Sequence, residues 1–389
     1  MLTKNNWMLP EGIDELLPEQ AARSEKIRQE LLGLFKTWGY QFVIPPLVEY
    51  LDTLLNISDR EIELQTFKLT DQISGKTLGV RADMTPQVAR MAAHHILNDS
   101  PSRLCYLGPI LKARGAKIEK SRSPIQIGAE LYGSAHINSD VEIIQLMLEV
   151  LAVAGLQKVH LDLGHVAIFR GLARQAGLSV EQEADLLEVL QRKSTDEVTA
   201  LLHSFELESQ WVNVFNQLLT LNGDISIIEK AKDRLVLGDE MVQKAILELE
   251  EIAQVMQRYY PSLPLYFDLA ELRCYHYQTG VVFAAFVPGF GSEVARGGRY
   301  DNMTGKFGRS QPATGFSSDM KILAQLSSLD NEPKQEIILA PCLDEPDLYD
   351  KVRELRAQGH IVIKELPNST QQPEHTTLLV KKDKQWLIN

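Results

Sequence analysis

The sequence predicts an α+β fold: an antiparallel sheet flanked by helices, with a helical insertion and a short C-terminal α/β tail. Three observations carry that prediction. Residues 103–113 and 123–133 read as two strands joined by the polar loop RGAKIEKSR. Residues 166–260 are an almost continuous helical pattern rich in Leu, Glu and Gln, broken at Gly177 and at Asn222-Gly223. After Asn331-Glu332-Pro333 the pattern becomes strand, helix, strand, strand. The implied organisation is a core made of residues 1–165 and 261–330, an insertion at 166–260 and a truncated tail at 334–389.

The elements follow in order. Ile27, Leu31, Leu34, Phe35 and Trp38 recur at helical spacing and place a helix over residues 19–38. Pro18 suits its first turn and Gly39 ends it. QFVIPPLVEY reads as an apolar run stopped by Pro45-Pro46, a strand entering a rigid turn. TFKLTD and TLGVRA flank Ser74-Gly75-Lys76 as a hairpin. The string SGKT resembles the end of a phosphate-binding loop, but Thr70 stands where that loop's first glycine belongs, so a hairpin turn is expected. A helix begins at Thr85 with Val88, Met91, Ala92 and His95. Another, over residues 140–154, carries Val141, Ile144, Leu148 and Leu151 on one face. KVHLDLG, LYFDLA and GVVFAAFV read as strands, and PGFGSEVARGGRYD as a glycine-rich run. The tail supplies EIILAPCL, the helix DLYDKVRELRAQG, IVIKEL and a last strand, TTLLVKK.

Composition narrows the function. A chain of 389 residues with 44% apolar and 24% charged side chains is globular, with two or three domains. The net charge of −12 disfavours electrostatic capture of nucleic acid, so no nucleic-acid partner is expected. The three cysteines, Cys105, Cys274 and Cys342, form no C-x-x-C pair, so neither a metal site nor a disulfide framework is expected. The opening MLTKNNWMLPEG carries no signal-peptide pattern, and no uncharged stretch is of spanning length. A cytosolic chain with no membrane contact and no cofactor is the expectation.

Three segments carry more specific information: RADMTPQVAR at 81–90, LGPILKARGAKIEKSRSPIQIGAELYG at 107–133, and ELRCYHYQTGVVFAAFVPGFGSEVARGGRYDNM at 271–303. In this order they resemble the catalytic core of histidyl-tRNA synthetase, a class II aminoacyl-tRNA synthetase. The resemblance runs to about Leu326. It implies that the first helix and the Pro45-Pro46 strand are motif 1, which builds a two-fold dimer. It implies an amino-acid pocket made of Asp83, Thr85, Gln126 and Glu130, with Arg273 as the histidine-specific arginine and Tyr277 as a pocket tyrosine. The residue chemistry fits: free histidine needs acceptors for its ammonium, a cation for its carboxylate and polar groups near its ring. Gln126 and Glu130 are four apart on an alternating strand and share one face.

The departures matter as much. Class II synthetases neutralise ATP phosphates with arginines on motifs 2 and 3. The aligned motif 2 string is Leu111-Lys112-Ala113-Arg114-Gly115-Ala116, so Lys112 stands for the first arginine and lacks its bidentate fork. Ile322 stands for the motif 3 arginine, and Asp319 adds an acid near the expected triphosphate. The family signature close to R-G-L-D-Y-Y reads Arg273-Cys274-Tyr275-His276-Tyr277-Gln278, without its aspartate and second tyrosine. The anticodon-binding region is cut to the short tail. The loop cations Arg114, Lys117, Lys120 and Arg122 read as a solvated hairpin tip.

A synthetase-like chain with this combination, and with the opening PEGIDELLPEQ, resembles the regulatory subunits of ATP phosphoribosyltransferase. That resemblance implies a non-catalytic chain in a hetero-oligomer with a short catalytic subunit, acting in the first step of histidine biosynthesis. It also implies feedback through free histidine. A divergent histidyl-tRNA synthetase and a stand-alone synthetase paralogue are the competing readings.

Overall fold

The structure is a computed structural model. It describes residues 8–56, 60–95, 100–115, 121–270, 277–328, 336–367 and 376–389. The chain divides into two compact units, Met1–Ser328 and Leu329–Asn389.

In the first unit, α1 (Pro18–Thr37) precedes β1 (Gln41–Val43), β2 (Val48–Tyr50), α2 (Leu51–Leu55) and α3 (Arg60–Gln65). The hairpin β3 (Phe67–Thr70) and β4 (Thr77–Val80), α4 (Thr85–His95), β5 (Ser102–Pro109), β6 (Ile125–Tyr132), α5 (Ile137–Val153) and β7 (His160–His165) follow. The helical stretch holds α6 (Val166–Gln175), α7 (Val180–Gln191), α8 (Thr195–Ser204), α9 (Ser209–Thr220), the two-residue β8 (Asn222–Gly223), α10 (Ser226–Arg234) and α11 (Glu240–Tyr259). The chain then returns through β9 (Leu265–Asp268), β10 (Val281–Phe286), β11 (Ala295–Arg299), β12 (Ala313–Asp319) and α12 (Met320–Leu326).

One sheet organises this unit. Its strand order is β1-β5-β6-β12-β11-β10-β7-β9-β8. The central pairs from β5 through β7 are antiparallel, while β1–β5 and β7–β9 are parallel. Three expectations change here. QFVIPPLVEY holds a second strand after its prolines. The two prolines, which cannot donate to a ladder, break the run, sending β1 to the large sheet and β2 to a three-stranded sheet with β4 and β3. The glycine-rich run contains the central strand β11, bonded on both sides. The helical stretch also contributes a strand, because β8 extends the large sheet beside β9.

The expected helical stripe is real. Ile27, Leu31 and Phe35 of α1 are fully buried, each contributing about 1.5–3 kcal/mol from burial. In the helical stretch, Ser179 and Gln182 form a capping box at α7, and Asp239 caps α11 by accepting from Met241 and Val242 N–H. Phe169 and Phe215 meet edge to face at 6.1 Å. The hairpin turn after β3 also forms as expected: Asp71 accepts from the N–H groups of Ile73 and Ser74, and Gly75 takes φ +70.

The second unit holds β13 (Ile337–Ala340), α13 (Pro346–Ala357), β14 (Ile361–Lys364), β15 (Thr376–Lys382) and β16 (Gln385–Ile388), in sheet order β14-β13-β15-β16. TTLLVKK is therefore not the last strand, since β16 pairs back on it after the turn at Asp383-Lys384, both with positive φ. Leu348, Val352 and Leu355 of α13 pack with Ile338, Val362, Leu379 and Trp386 as its core. Among the described residues no helix is long and apolar enough to cross a membrane.

Candidate functional site

The sheet register builds the floor of a cleft. Glu130, Gly315, Gly298, Val282 and Gly164 are direct partners on successive strands, so they point to one face. The neighbouring row on that face runs Tyr106, Gly128, Ser317, Arg296, Ala284, Asp162. Small residues dominate both rows and leave room above the sheet. The glycines are required: a Cβ on Gly315 would occupy the space of Glu130 Oε2, and one on Gly128 the space of the Tyr106 hydroxyl. Asp83, Thr85, Asp268, Tyr277, Gln278 and Tyr300 complete the walls.

Five of the six expected pocket residues come together. Glu130 is buried, at 1% exposure. Its Oε1 accepts from Tyr106 at 2.9 Å and from Thr85 at 3.1 Å, and its Oε2 accepts from the Tyr300 hydroxyl. Gln126 donates from Nε2 to Asp83 Oδ1 at 2.8 Å and accepts from Met84 N–H at 2.8 Å. Asp83 Oδ1 also accepts from Thr85 N–H at 2.9 Å, which places the start of α4 against β6. Tyr277 lines the cleft and packs edge to face on Tyr300, with ring centroids 6.3 Å apart. Arg273 lies outside the described residues, as does Cys274.

Burial dominates the electrostatics. It pushes the Glu130 carboxyl up to about 8. The hydroxyls of Tyr300 and Tyr106 pull the other way, and the charge of Asp83 adds to the rise. The same burial drives the Tyr106, Tyr132 and Tyr300 hydroxyls well above their ordinary value, so they stay neutral donors.

Sequence reasoning missed the two tyrosines that bond this carboxyl. The pattern held a signal for Tyr300 within GGRYD and for Tyr106 in its register opposite Gly128, but neither indicates a hydroxyl aimed at Glu130. It also missed Asp162, Asp268 and Arg296. Asp268 pairs at 2.7 Å with Lys193, which joins the helical stretch to the cleft wall.

The expected ATP end is built differently from the reading above. Asp319 is not an acid held out toward a ligand. It caps α12, accepting from Lys321 N–H at 3.0 Å and from Ile125 N–H at 3.1 Å. Ile322 sits half-buried in the first turn of α12. Lys112 lies in a bridge to Thr66, and its backbone exchanges hydrogen bonds with Arg122. Arg122 is no solvated tip cation: its guanidinium also donates to Glu11 C=O at 3.0 Å and sits 5.2 Å above the Phe67 ring. Lys117 and Lys120 lie outside the described residues. RADMTPQVAR owes part of its character to packing. Arg81 donates to the carbonyls of Pro45 and Pro109, and Arg90 pairs with Glu49 at 2.6 Å.

Among the described residues, no cluster of three His, Cys, Asp or Glu side chains could hold a metal ion. Cys105 is buried, its thiol pushed up to about 12 by desolvation, and Cys342 is exposed.

Comparison with known proteins agrees with this architecture. A family model described as histidyl-tRNA synthetase matches residues 12–323. A second, described as ATP phosphoribosyltransferase subunit HisZ C-terminal domain, matches 335–389. The ATP phosphoribosyltransferase regulatory subunit of Methylococcus capsulatus is 52% identical over 93% of this chain and 90% of its own. A solved Bacillus halodurans structure described as an ATP phosphoribosyltransferase regulatory subunit/histidyl-tRNA synthetase superposes with TM-score 0.82 at 29% identity, covering 94% of each chain. Histidyl-tRNA synthetase from Nostoc superposes with TM-score 0.76 at 18% identity, over 94% of this chain and 88% of its own, which speaks to fold alone. With its class II synthetase-like core and its matching C-terminal segment, the chain belongs to the family of ATP phosphoribosyltransferase regulatory subunits.

Proposed function

We propose that this chain is a non-catalytic regulatory subunit of ATP phosphoribosyltransferase. It enables a short catalytic subunit in the first step of histidine biosynthesis, and it carries histidine in the cleft over Glu130. One observation supports this best. The amino-acid end is assembled around Asp83, Thr85, Gln126 and Glu130, while the ATP end has Lys112 and Ile322 where phosphate-binding arginines belong. An isoleucine offers no charge to a phosphate, and a lysine lacks the bidentate fork. In the same reading, residues 1–165 and 261–330 are the inherited core, 166–260 an insertion, and 334–389 the remnant of an anticodon-binding domain. The setting is the cytosol, with no nucleic-acid or membrane partner. The competing reading, a divergent synthetase, is not favoured by the names of the relatives at about half identity.

The test is direct. The purified chain should support no histidine-dependent pyrophosphate–ATP exchange, yet should switch on ATP phosphoribosyltransferase activity when mixed with the catalytic subunit. Exchange at about 1 per second or faster, a typical enzyme turnover, would refute the non-catalytic assignment.

A self-dimer through the α1–β1 region belongs to the same proposal. Phe35 is fully committed to the protomer interior, and Trp38 is half-buried, donating to Glu149 at 3.0 Å. The association surface therefore falls to the exposed apolar side chains Phe42, Ile44, Leu47 and Tyr50. Ile44→Lys together with Phe42→Lys should convert the dimer to a monomer in light scattering at micromolar concentration. A wild-type monomer in that experiment would contradict the proposal.

A further inference from the structure

The opening PEGIDELLPEQ takes no part in the cleft, yet its residues 10–14 form a strap held by specific partners. Ile13 N–H donates to Pro10 C=O at 3.0 Å, and Gly12 takes φ +74, a left-handed turn position that suits glycine. The turn lays the strap against the residues just before β6. Gly12 C=O accepts from Arg122 N–H at 2.6 Å, and Glu11 C=O accepts from the Arg122 guanidinium at 3.0 Å. The next residues carry Asp14 to a set of converging donors. Ser121 Oγ donates to Asp14 Oδ1 at 2.7 Å, and Ser123 Oγ donates to the same oxygen at 3.1 Å. Lys321 Nζ donates to Asp14 Oδ2 at 2.9 Å and to Ser123 Oγ at 3.2 Å.

These donors stand beside the two positions where phosphate-binding arginines are replaced. Lys112 N–H donates to Arg122 C=O at 2.8 Å, so Ser121 and Ser123 flank the residue opposite Lys112. Lys321 directly precedes Ile322 in α12, and its backbone is fixed by the Asp319 cap. An ammonium and two hydroxyls aimed at one carboxylate are a donor set that phosphate oxygens satisfy equally well. The Lys321 side chain is 12% exposed, so its charge needs a nearby anion, and Asp14 supplies it. Burial pushes the Asp14 carboxyl up, but the Ser121 hydroxyl and the Lys321 ammonium together hold it below its ordinary value, so it is ionised at neutral pH. Asp14 is itself 44% exposed, so solvent reaches the place its carboxylate fills.

We propose that Asp14 is the built-in occupant of a phosphate-binding site, a self-blocking contact that keeps polyphosphate groups off Lys321, Ser121 and Ser123. A carboxylate tethered through a short strap competes at an effective concentration on the order of millimolar or more, so free polyphosphate below that level is excluded. The blockade goes beyond the replacement of two arginines, because it engages the remaining cation within the chain. It is independent of which ligand the cleft over Glu130 takes.

Calorimetric titration of the full-length chain with sodium tripolyphosphate, in the absence of magnesium, tests this. Wild type should bind it with a Kd of about a millimolar or weaker. Asp14→Ala removes the competitor and leaves Lys321 without its counter-charge, so it should bind about tenfold tighter or better. Adding Lys321→Met to Asp14→Ala should abolish that gain. Asp14→Ala binding within about threefold of wild type overturns the proposal. A gain that survives Lys321→Met also overturns it, since the polyphosphate is then held by other cations. Wild-type binding in the micromolar range does the same, because the site is then open. Should the alanine variant not fold, Asp14→Asn keeps the size and an acceptor for the serine hydroxyls while removing the charge. It should bind tripolyphosphate about threefold tighter than wild type or better, and the absence of any gain overturns the proposal.

Discussion

Glu130→Gln should make the protein's stability much less sensitive to pH between about 5 and 8. The carboxyl's folded value of about 8 stands above the ordinary 4.5 because burial disfavours its charge. A group raised in the folded state contributes stability that is fully present below its unfolded value. That contribution is lost as pH rises through the folded value. Wild type should therefore lose stability relative to the glutamine variant from about pH 4.5 upward, by about 1.4 kcal/mol per pH unit, levelling off near pH 8. The full difference is on the order of 3–5 kcal/mol. Glutamine keeps a carbonyl for the hydroxyl donors on one side, and its amide can donate to a tyrosine hydroxyl oxygen on the other, so its core should pack. Urea unfolding of both proteins at pH 5.5 and 8.5 is the measurement. Parallel pH dependence would show that Glu130 ionises freely in the folded chain. The same carboxyl should couple binding to protons: a cationic ligand group placed beside it favours its ionised form, so binding should release a proton in buffers near neutral pH.

Arg299→Met should lower the melting temperature by on the order of 10 °C. Arg299 spans α5 and β11. It bonds Asp140 Oδ2 through Nε at 3.0 Å and Nη2 at 2.7 Å, and reaches Ser134 C=O at 3.1 Å and Asp301 Oδ1 at 3.2 Å. Asp140 is 1% exposed, and burial raises its carboxyl against the opposing pull of Arg299. Removing the arginine strands a buried carboxylate, a loss of about 3–5 kcal/mol. The double variant Asp140→Leu with Arg299→Met removes both charges and should recover most of that loss. A single variant that melts within about 2 °C of wild type would show that the pair does not hold α5 to β11. The consequence reaches the cleft because Tyr300 lies between Arg299 and Asp301. Asp301 in turn accepts from Ala313 N–H at 3.0 Å, so the ion pair fixes the turn that aims the Tyr300 hydroxyl at Glu130.

Much of this chain was legible before any coordinates. The 3.6-residue stripe of Ile27, Leu31 and Phe35 predicted α1, because that period reports burial on one face directly, while β5 and β6 showed as two apolar runs joined by a polar loop. The errors have physical causes. Glycine is disfavoured in strands, so PGFGSEVARGGRYD shows no strand pattern, yet β11 needs its glycines because Gly298 lies under Gln278 and Gly297 against the Phe283 ring. The sequence reads Asp319 as an acid near the expected triphosphate because linear order does not show that it stands at a helix start. There its carboxylate is engaged by two backbone N–H groups.

The sequence by itself determined which residue types stand at each motif position. It placed Gln126 and Glu130 on one face and, through the family resemblance, set Lys112 and Ile322 at positions where arginines are expected. Period and side-chain chemistry are local properties, so a string of residues carries them. Only the tertiary structure decided the state of the cleft. Tyr106 is 24 residues from Glu130 and Tyr300 is 170, yet both hydroxyls converge on its buried carboxyl. Gln278 is brought against Gly298, its side-chain oxygen buried. Desolvation and hydrogen-bond satisfaction depend on which atoms meet through space, and folding brings together groups that lie far apart along the chain.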